Sequence, residues 1–300
     1  MYPVRAVHTD KCFICEDGAG PVVWRENGVE ARRCRCGMVY AVTHREVITD
    51  DLMKEHHTDD FYSYPATFKA NWMAKHCPKG KLLEVGSGNS FFLREARRLG
   101  YKIEGLEPDR ERAAQVSGEL GIPVSQEFIE ATRLPSGHYD VIYHCDLLVH
   151  FPDPILALKK MTSLLSPGGV LCFEVGLLGG ISPLWYRMTG EIGLGPHLWL
   201  YSAHAFDALL SRSGLQVIHL QHFGLAAEVI GSRVNRVLVR RVLGPLLNAM
   251  QWTGLTPPPQ STTAVYGWLQ NFLRYHVGRF APRVGPATLL VVARPIKHAP

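Results

Sequence analysis

Residues 81 to 93 read Lys-Leu-Leu-Glu-Val-Gly-Ser-Gly-Asn-Ser-Phe-Phe-Leu, an apolar strand that runs into a glycine-rich turn and then into a helix. Glycine has no Cβ, so Gly86 and Gly88 let the backbone come close to a ligand, toward which the free N–H groups of the next helix point. Glu84 stands two positions before the first glycine, where a carboxylate at a strand end can take a cationic amine. The usual dinucleotide fingerprint wants a third glycine at position 91, which is Phe91 here, so a nicotinamide cofactor is disfavoured. A lone Gly-x-Gly also serves ordinary turns that need positive φ, so the residues downstream decide.

A helical stretch, Phe92 to Leu99, leads into a second short strand that ends at Glu107. An acidic residue about twenty positions beyond a glycine loop is placed to hydrogen-bond two ribose hydroxyls. The run from Tyr139 to Pro154 gives another strand with its C-terminal loop, and Leu164 to Glu174 gives a helix end, a Pro-Gly-Gly turn and a further strand. This ordered series resembles the class I S-adenosylmethionine-dependent methyltransferases over roughly residues 79 to 224 plus the last strand. The resemblance implies an α/β, Rossmann-like fold: a doubly wound, mostly parallel seven-stranded sheet. A small N-terminal zinc ribbon and a helical insertion before the last strand would complete it.

What the resemblance implies can be placed on single residues. Glu84, Gly86, Ser87 and Gly88 would surround the amino-acid part of S-adenosylmethionine, and Glu107 would bind its ribose. Gln126 and Phe128 fall beside the adenine, and His144 and Asp146 under the methionine end. His150 and Pro154 correspond to a Glu-His-x-x-Asp-Pro segment in which Val149 replaces the acidic residue; the alternative for His150 is a packed or capping role. Ser90 stands where many relatives have a third glycine, tolerable if its backbone stays helical. Asp140 orders the start of a strand and does no chemistry in this reading.

Cys12, Cys15, Cys34 and Cys36 form a Cys-x2-Cys knuckle followed by a tighter Cys-x-Cys pair, a four-thiolate pattern suited to structural zinc. Short β-like pieces, residues 21–24 and 28–32, lie between the pairs, as in a zinc ribbon too small for a core of its own. Reduced, unliganded cysteines are the alternative. Such a module ahead of a Tyr-containing connector resembles a bacterial subgroup with sugar C-methyltransferases and proteins from polysaccharide gene clusters. There the connector folds over the cofactor, which makes Tyr62 and Tyr64 candidate lid contacts, with packing against the core as the alternative. The expected division is 1–45 ribbon, 46–78 helical connector, 79–224 with 287–300 methyltransferase core, and 225–286 basic helical insertion.

The 300 residues carry a net charge of +5, divided unevenly. After Glu228 there is no Asp or Glu, while nine Arg or Lys occur. The first helical pattern of the insertion places Arg233, Arg236 and Arg240 on one face, and the second sets Tyr266, Trp268, Leu269, Phe272 and Tyr275 beside Arg274 and Arg279. Such helices can lie on an anionic membrane surface or bind phosphates of nucleic acid; a lid or dimer interface is the plainer alternative. With no apolar run of eighteen residues and no leader-like N-terminus, the chain is expected to be cytoplasmic, with peripheral contact at the inner face of the membrane.

A sulfonium methyl is already an activated electrophile, so the enzyme must align an acceptor and, for a hydroxyl or enolisable carbon, supply a base. His197, after the fifth strand, is the first choice for that base; His144 is the alternative, and Tyr201 would position the acceptor. A sugar or sugar-derived acceptor, free or lipid-linked, is expected. RNA is the alternative substrate, although no Asn-Pro-Pro-Tyr-like motif follows the fourth strand, which reads His144-Cys-Asp-Leu.

Overall fold

The computed structural model describes residues 4–48, 59–189, 192–194, 196–230, 270–281, 283 and 285–296, the side chains of 4–8, 44–48 and 59–62 excepted. At its centre lies β5 (Lys81–Val85), in which Leu82, Leu83, Glu84 and Val85 are all buried, as in a parallel strand covered on both faces. It pairs in parallel with β6 (Lys102–Leu106) and with β8 (Tyr139–Cys145). Beyond β6 lies β7 (Val124–Ser125); beyond β8 lie β9 (Leu165–Leu177), β12 (Ala287–Pro295) and β11 (Leu215–Gly224). The order β11-β12-β9-β8-β5-β6-β7 is the expected seven-stranded sheet, and β12 alone runs against its neighbours.

The helices begin where the sequence supplies caps. Asp109 accepts the N–H of Arg112 at 2.9 Å to open α3 (Arg110–Leu120), and Asp153 accepts that of Leu156 at 2.9 Å to open α4 (Pro154–Leu164). Ser202 accepts the N–H of Ala205 at 3.1 Å to open α6 (Ala203–Arg212). One core packs α4 and α6 against the sheet; the other packs α1 (Asp59–His76), α2 (Phe91–Arg98) and α3 on the opposite face. Strand alternation sorts β8 between them: Tyr143 stacks on Phe92 of α2, while His144 points the other way and stacks on Phe173.

The N-terminal module is a second antiparallel sheet, β1 (Val4–Thr9), β2 (Val22–Glu26), β3 (Val29–Arg33) and β4 (Val39–Ile48), in the order β1-β4-β3-β2. The β2–β3 hairpin turns at Asn27-Gly28, both with positive φ (50° and 77°), the dipeptide such turns require. β10 (Trp199–Leu200), supplied by the core, joins this sheet with Trp199 opposite Tyr40 and Leu200 opposite Val39. The module therefore continues into the core. Residues 231–269, with Arg233, Arg236, Arg240, Tyr266, Trp268 and Leu269 of the expected insertion, lie outside the described residues, as does the side chain of Tyr62. No described helix is long and apolar enough to cross a membrane.

Asp140 ties three central strands together. One carboxylate oxygen accepts the N–H of Lys81 at the start of β5 (2.8 Å), and the other accepts the hydroxyl of Ser166 in β9 (2.8 Å). Replacing Asp140 with Ala strands the Lys81 amide, so it should lower unfolding free energy in denaturant titrations by about 1–3 kcal/mol. Because Asp140 is remote from the ligand cavity described next, affinity for S-adenosylhomocysteine should not change.

Candidate active site

The sheet's strand order reverses at β5, whose chain continues to β6 on one side while β8 lies on the other. A crevice beyond the C-terminal ends of parallel strands is expected at such a point. The structure has a cavity there of about 340 Å³, lined by the ends of β5, β6 and β8, by α1, and by residues 196 and 198. Gly86 (φ 73°) and Gly88 (φ 36°) shape its glycine turn, and a Cβ on Gly86 would lie 2.8 Å from a Leu147 methyl. The left-handed backbone at Gly86 favours glycine, and a side chain there would also have to displace Leu147.

Two carboxylates face the cavity from adjacent strand ends. Glu107 accepts the N–H of Gly88 on one oxygen (3.0 Å) and that of Asp109 on the other (3.1 Å). Each oxygen keeps a further lone pair, as two ribose hydroxyls would need. Glu84 is buried, and its Oε2 has no partner among the described residues. Burial, and then the charge of Glu107, hold its carboxyl well above the usual range; Lys69 pulls the other way. A buried, unpartnered carboxylate is costly, and an ammonium ion is the ligand that would relieve it. The turn, Glu84 and Glu107 thus fit the amino-acid and ribose parts of S-adenosylmethionine. Ser87 and Asp146 also line the cavity, and Ser87 Oγ and Asp146 Oδ1 are likewise buried and unpartnered among the described residues. Asp146 adopts φ 52°, a strained backbone for a non-glycine residue of the kind that gathers at functional sites.

The opposite wall contains a buried polar cluster that the sequence reading did not identify. Lys69 of α1 donates to Glu174 Oε1 (3.1 Å) and to the Cys145 sulfur (3.0 Å), and Tyr275 donates to Glu174 Oε2 (3.2 Å). Burial works against the ammonium of Lys69, but Cys145 and Glu174 outweigh it and raise its pKa. The signal was present: Lys69 occupies the apolar face of α1 with Ala66, Ala70 and Met73, and Glu174 interrupts a continuous apolar strand.

Several expected residues lie elsewhere. His144 is fully buried on the far side of β8, with neither ring nitrogen bonded among the described residues, and burial pushes its pKa down to about 3; strand alternation removes it from the cavity. Tyr201 is fully buried and donates to the Leu148 carbonyl (2.8 Å), a structural role. His197 stands behind the cavity wall, its Nδ1 donating to the Ile192 carbonyl at 2.9 Å. His150, by contrast, lines the cavity, with its ring centroid 5.0 Å from that of His197. Gln126 is exposed, whereas Phe128, expected beside it at the adenine, lines the cavity together with Glu127. Tyr64 turns away from the cavity to bond His276, and Pro65, Ala66 and Lys69 are the lining residues of α1. The backbone of Ser90 is left-handed (φ 59°), not helical, which explains the glycine preference there. Its hydroxyl donates to Glu119 at 2.6 Å and lies outside the cavity lining.

The ligand atoms of Cys12, Cys15, Cys34 and Cys36 lie within 4.8 Å of one another, with sulfur separations of 3.0 Å (Cys34–Cys36) and 3.7 Å (Cys12–Cys36). All four are free thiols. A tetrahedron of sulfurs about 2.3 Å from zinc has edges of roughly 3.8 Å, so the cluster could hold such an ion.

A family model described as a methyltransferase domain matches residues 56–220, more than half of the chain, and the chain belongs to that family. The cavity and the sheet are accordingly those of a class I S-adenosylmethionine-dependent methyltransferase. A ubiquinone biosynthesis O-methyltransferase from Ralstonia nicotianae is 28% identical over 114 residues, 35% of this chain and 48% of that protein. Its namesake from Proteus mirabilis is 34% identical over 101 residues, 31% of this chain and 41% of that protein. The chain thus spans about half the length of these curated relatives. A Galdieria sulphuraria structure described as a sarcosine dimethylglycine methyltransferase shares the fold, with a TM-score of 0.51 at 16% identity over 79% of this chain and 91% of that one.

The raised pKa of Glu84 gives binding a pH signature. Part of the free protein carries a protonated Glu84, and a bound ammonium ion favours its carboxylate, so cofactor binding should release protons. Calorimetry of S-adenosylhomocysteine binding in buffers of different ionisation enthalpy should show that release, with affinity falling as pH drops. Glu84→Gln should weaken both effects, leaving the part contributed by Glu107, whose carboxyl burial also raises.

Proposed function

We propose that the chain transfers a methyl group to a small molecule with a largely apolar body and an ionisable hydroxyl, using His150 as the base. The lining near the end of β8 carries the reading. It consists of Cys145, Asp146, Leu147 and His150, with Pro65, Pro196 and Leu198 closing it. A sugar would ask for several polar partners, and beside Asp146 and His150 this wall offers Lys69, whose ammonium is already engaged by Glu174 and Cys145. The lining therefore favours an aromatic or otherwise apolar acceptor over the expected sugar. The O-methyltransferase names of the curated relatives point the same way.

When bound, S-adenosylmethionine supplies a methyl group on a sulfonium, an electrophile needing no further activation. Glu84 would take its ammonium group, Glu107 its ribose hydroxyls and Phe128 its adenine. His150 would take the hydroxyl proton as the acceptor oxygen receives the methyl, leaving S-adenosylhomocysteine. Burial first, and then His197, push the pKa of His150 down to about 4, partly offset by the Pro196 carbonyl and Asp146. The imidazole is thus neutral throughout the physiological range with one ring lone pair free, although the same burial weakens it as a base.

The test is incubation with S-adenosylmethionine and panels of phenols, catechols and nucleotide sugars, following S-adenosylhomocysteine and methylated product by mass spectrometry. His150→Gln should lower turnover of a phenolic acceptor by about 10²–10⁴-fold while S-adenosylhomocysteine affinity stays within about twofold. Turnover confined to nucleotide sugars, or unaffected by the substitution, would refute the reading.

The cysteine cluster would hold one structural zinc ion, since the module otherwise has few buried apolar side chains of its own. Elemental analysis should find about one zinc per chain, lost in Cys34→Ser together with a lower melting temperature. A metal-free preparation that melts like the wild type would remove zinc from the account.

A further inference from the structure

Glu26 closes β2 in the N-terminal module, yet both of its carboxylate oxygens serve the catalytic domain. Oε2 accepts the N–H of Ile192 at 2.9 Å and Oε1 that of Leu194 at 3.1 Å, while the Trp24 indole donates to Oε2 at 3.1 Å. Those two amides begin the segment whose Pro196 and Leu198 form the cavity wall. Farther along, the N–H of His197 donates to Gly193 (3.1 Å), its Nδ1 donates to Ile192 (2.9 Å), and the N–H of Leu198 donates to Val149 (2.7 Å). The Leu198 carbonyl then accepts the N–H of Ala41 in β4 at 2.9 Å. The segment is clamped at one end by Glu26 and at the other by β4.

One bond from this segment reaches the candidate base. The Pro196 carbonyl lies 3.0 Å from His150 Nδ1. A carbonyl only accepts, so His150 carries its proton on Nδ1, and Nε2 keeps the lone pair that a base requires. We propose that Glu26 is a positioning residue for methyl transfer: by fixing residues 192–194 from the N-terminal module, it holds the Pro196 carbonyl against His150 and selects the base-competent tautomer. This rests on His150 being the base of the proposed reaction. It gives the cysteine-bearing module a role in the reaction besides its own stability, exercised through a residue that binds no metal and touches no substrate.

The effect can be read without knowing the acceptor, on the full chain with S-adenosylhomocysteine bound. In ¹⁵N-histidine NMR near neutral pH, His150, assigned by its disappearance in His150→Gln, should show the Nδ1–H tautomer. In Glu26→Ala that signature should give way to a tautomer mixture. Hydrogen exchange at His197 and Leu198 should rise about tenfold, and amides of β5 should stay unchanged. Glu26→Gln retains one acceptor oxygen and should fall between, which also covers the case in which the alanine variant folds poorly. The proposal is overturned if His150 keeps its tautomer and Leu198 its protection in both variants. It is equally overturned if β5 exchange rises as much as that of Leu198, since Glu26 would then be acting on general stability. Binding of S-adenosylhomocysteine by the wild type reports on the cofactor site alone, so failure there is separable from failure of the Glu26 argument.

Discussion

The hydrogen bond from the Gly88 amide to Glu107 underlies the cavity. It joins the turn after β5 to the end of β6, so the two strand ends that contact a ligand are fixed relative to each other before any ligand arrives. The same carboxylate caps the chain into α3 through the Asp109 amide. Glu84, one strand position inside the turn, has no such satisfaction for one of its oxygens. A protein that leaves a buried carboxylate oxygen unpartnered bears a desolvation cost, and binding a cation there recovers it. Glu107 thus fixes the crevice's shape while keeping lone pairs for a ligand, whereas the unpartnered oxygen of Glu84 serves affinity alone.

How much of this was legible beforehand depended on whether the signal was local. The glycine turn, Glu84, Glu107 and the strand punctuation are local, and the sheet order and the cofactor end of the cavity follow from them. The Asn27-Gly28 hairpin and the caps at Asp109, Asp153 and Ser202 were equally available in the sequence, although only the strands flanking the hairpin were expected. The base was harder to place because its position depends on packing between distant segments. His144 and Tyr143 are adjacent in sequence, yet strand alternation sends one into each core. His197 was expected to face the acceptor because its segment follows the fifth strand; its neighbours Pro196 and Leu198 do line the wall, while His197 points back to Ile192. Lys69 could have been found as the one charge on the apolar face of α1, had helical spacing been applied to that segment.

The N-terminal module illustrates the limit of reading domains from composition. Its four cysteines mark it as a unit, yet Ser202 donates to the Cys36 carbonyl at 3.0 Å, Arg33 donates to the Ile181 carbonyl at 2.5 Å, and Phe13 packs edge-on against Trp199 at 4.8 Å. These contacts come from the segment between β9 and α6, which also supplies the acceptor wall. Module and wall share one hydrogen-bonded surface, so each helps to hold the geometry of the other.

The strand pairing between β4 and β10 also has a consequence for how the chain is made. Val39 and Tyr40 leave the ribosome early, but their partners Leu200 and Trp199 emerge only after most of the methyltransferase sheet has been synthesised. Until then one edge of the N-terminal sheet exposes unpaired backbone groups, a surface open to pairing with other chains. Completion of the module is therefore gated by the growth of the nascent chain. A metal ion bound to the cysteines before that moment would hold the early hairpin together while its late strand is still being translated.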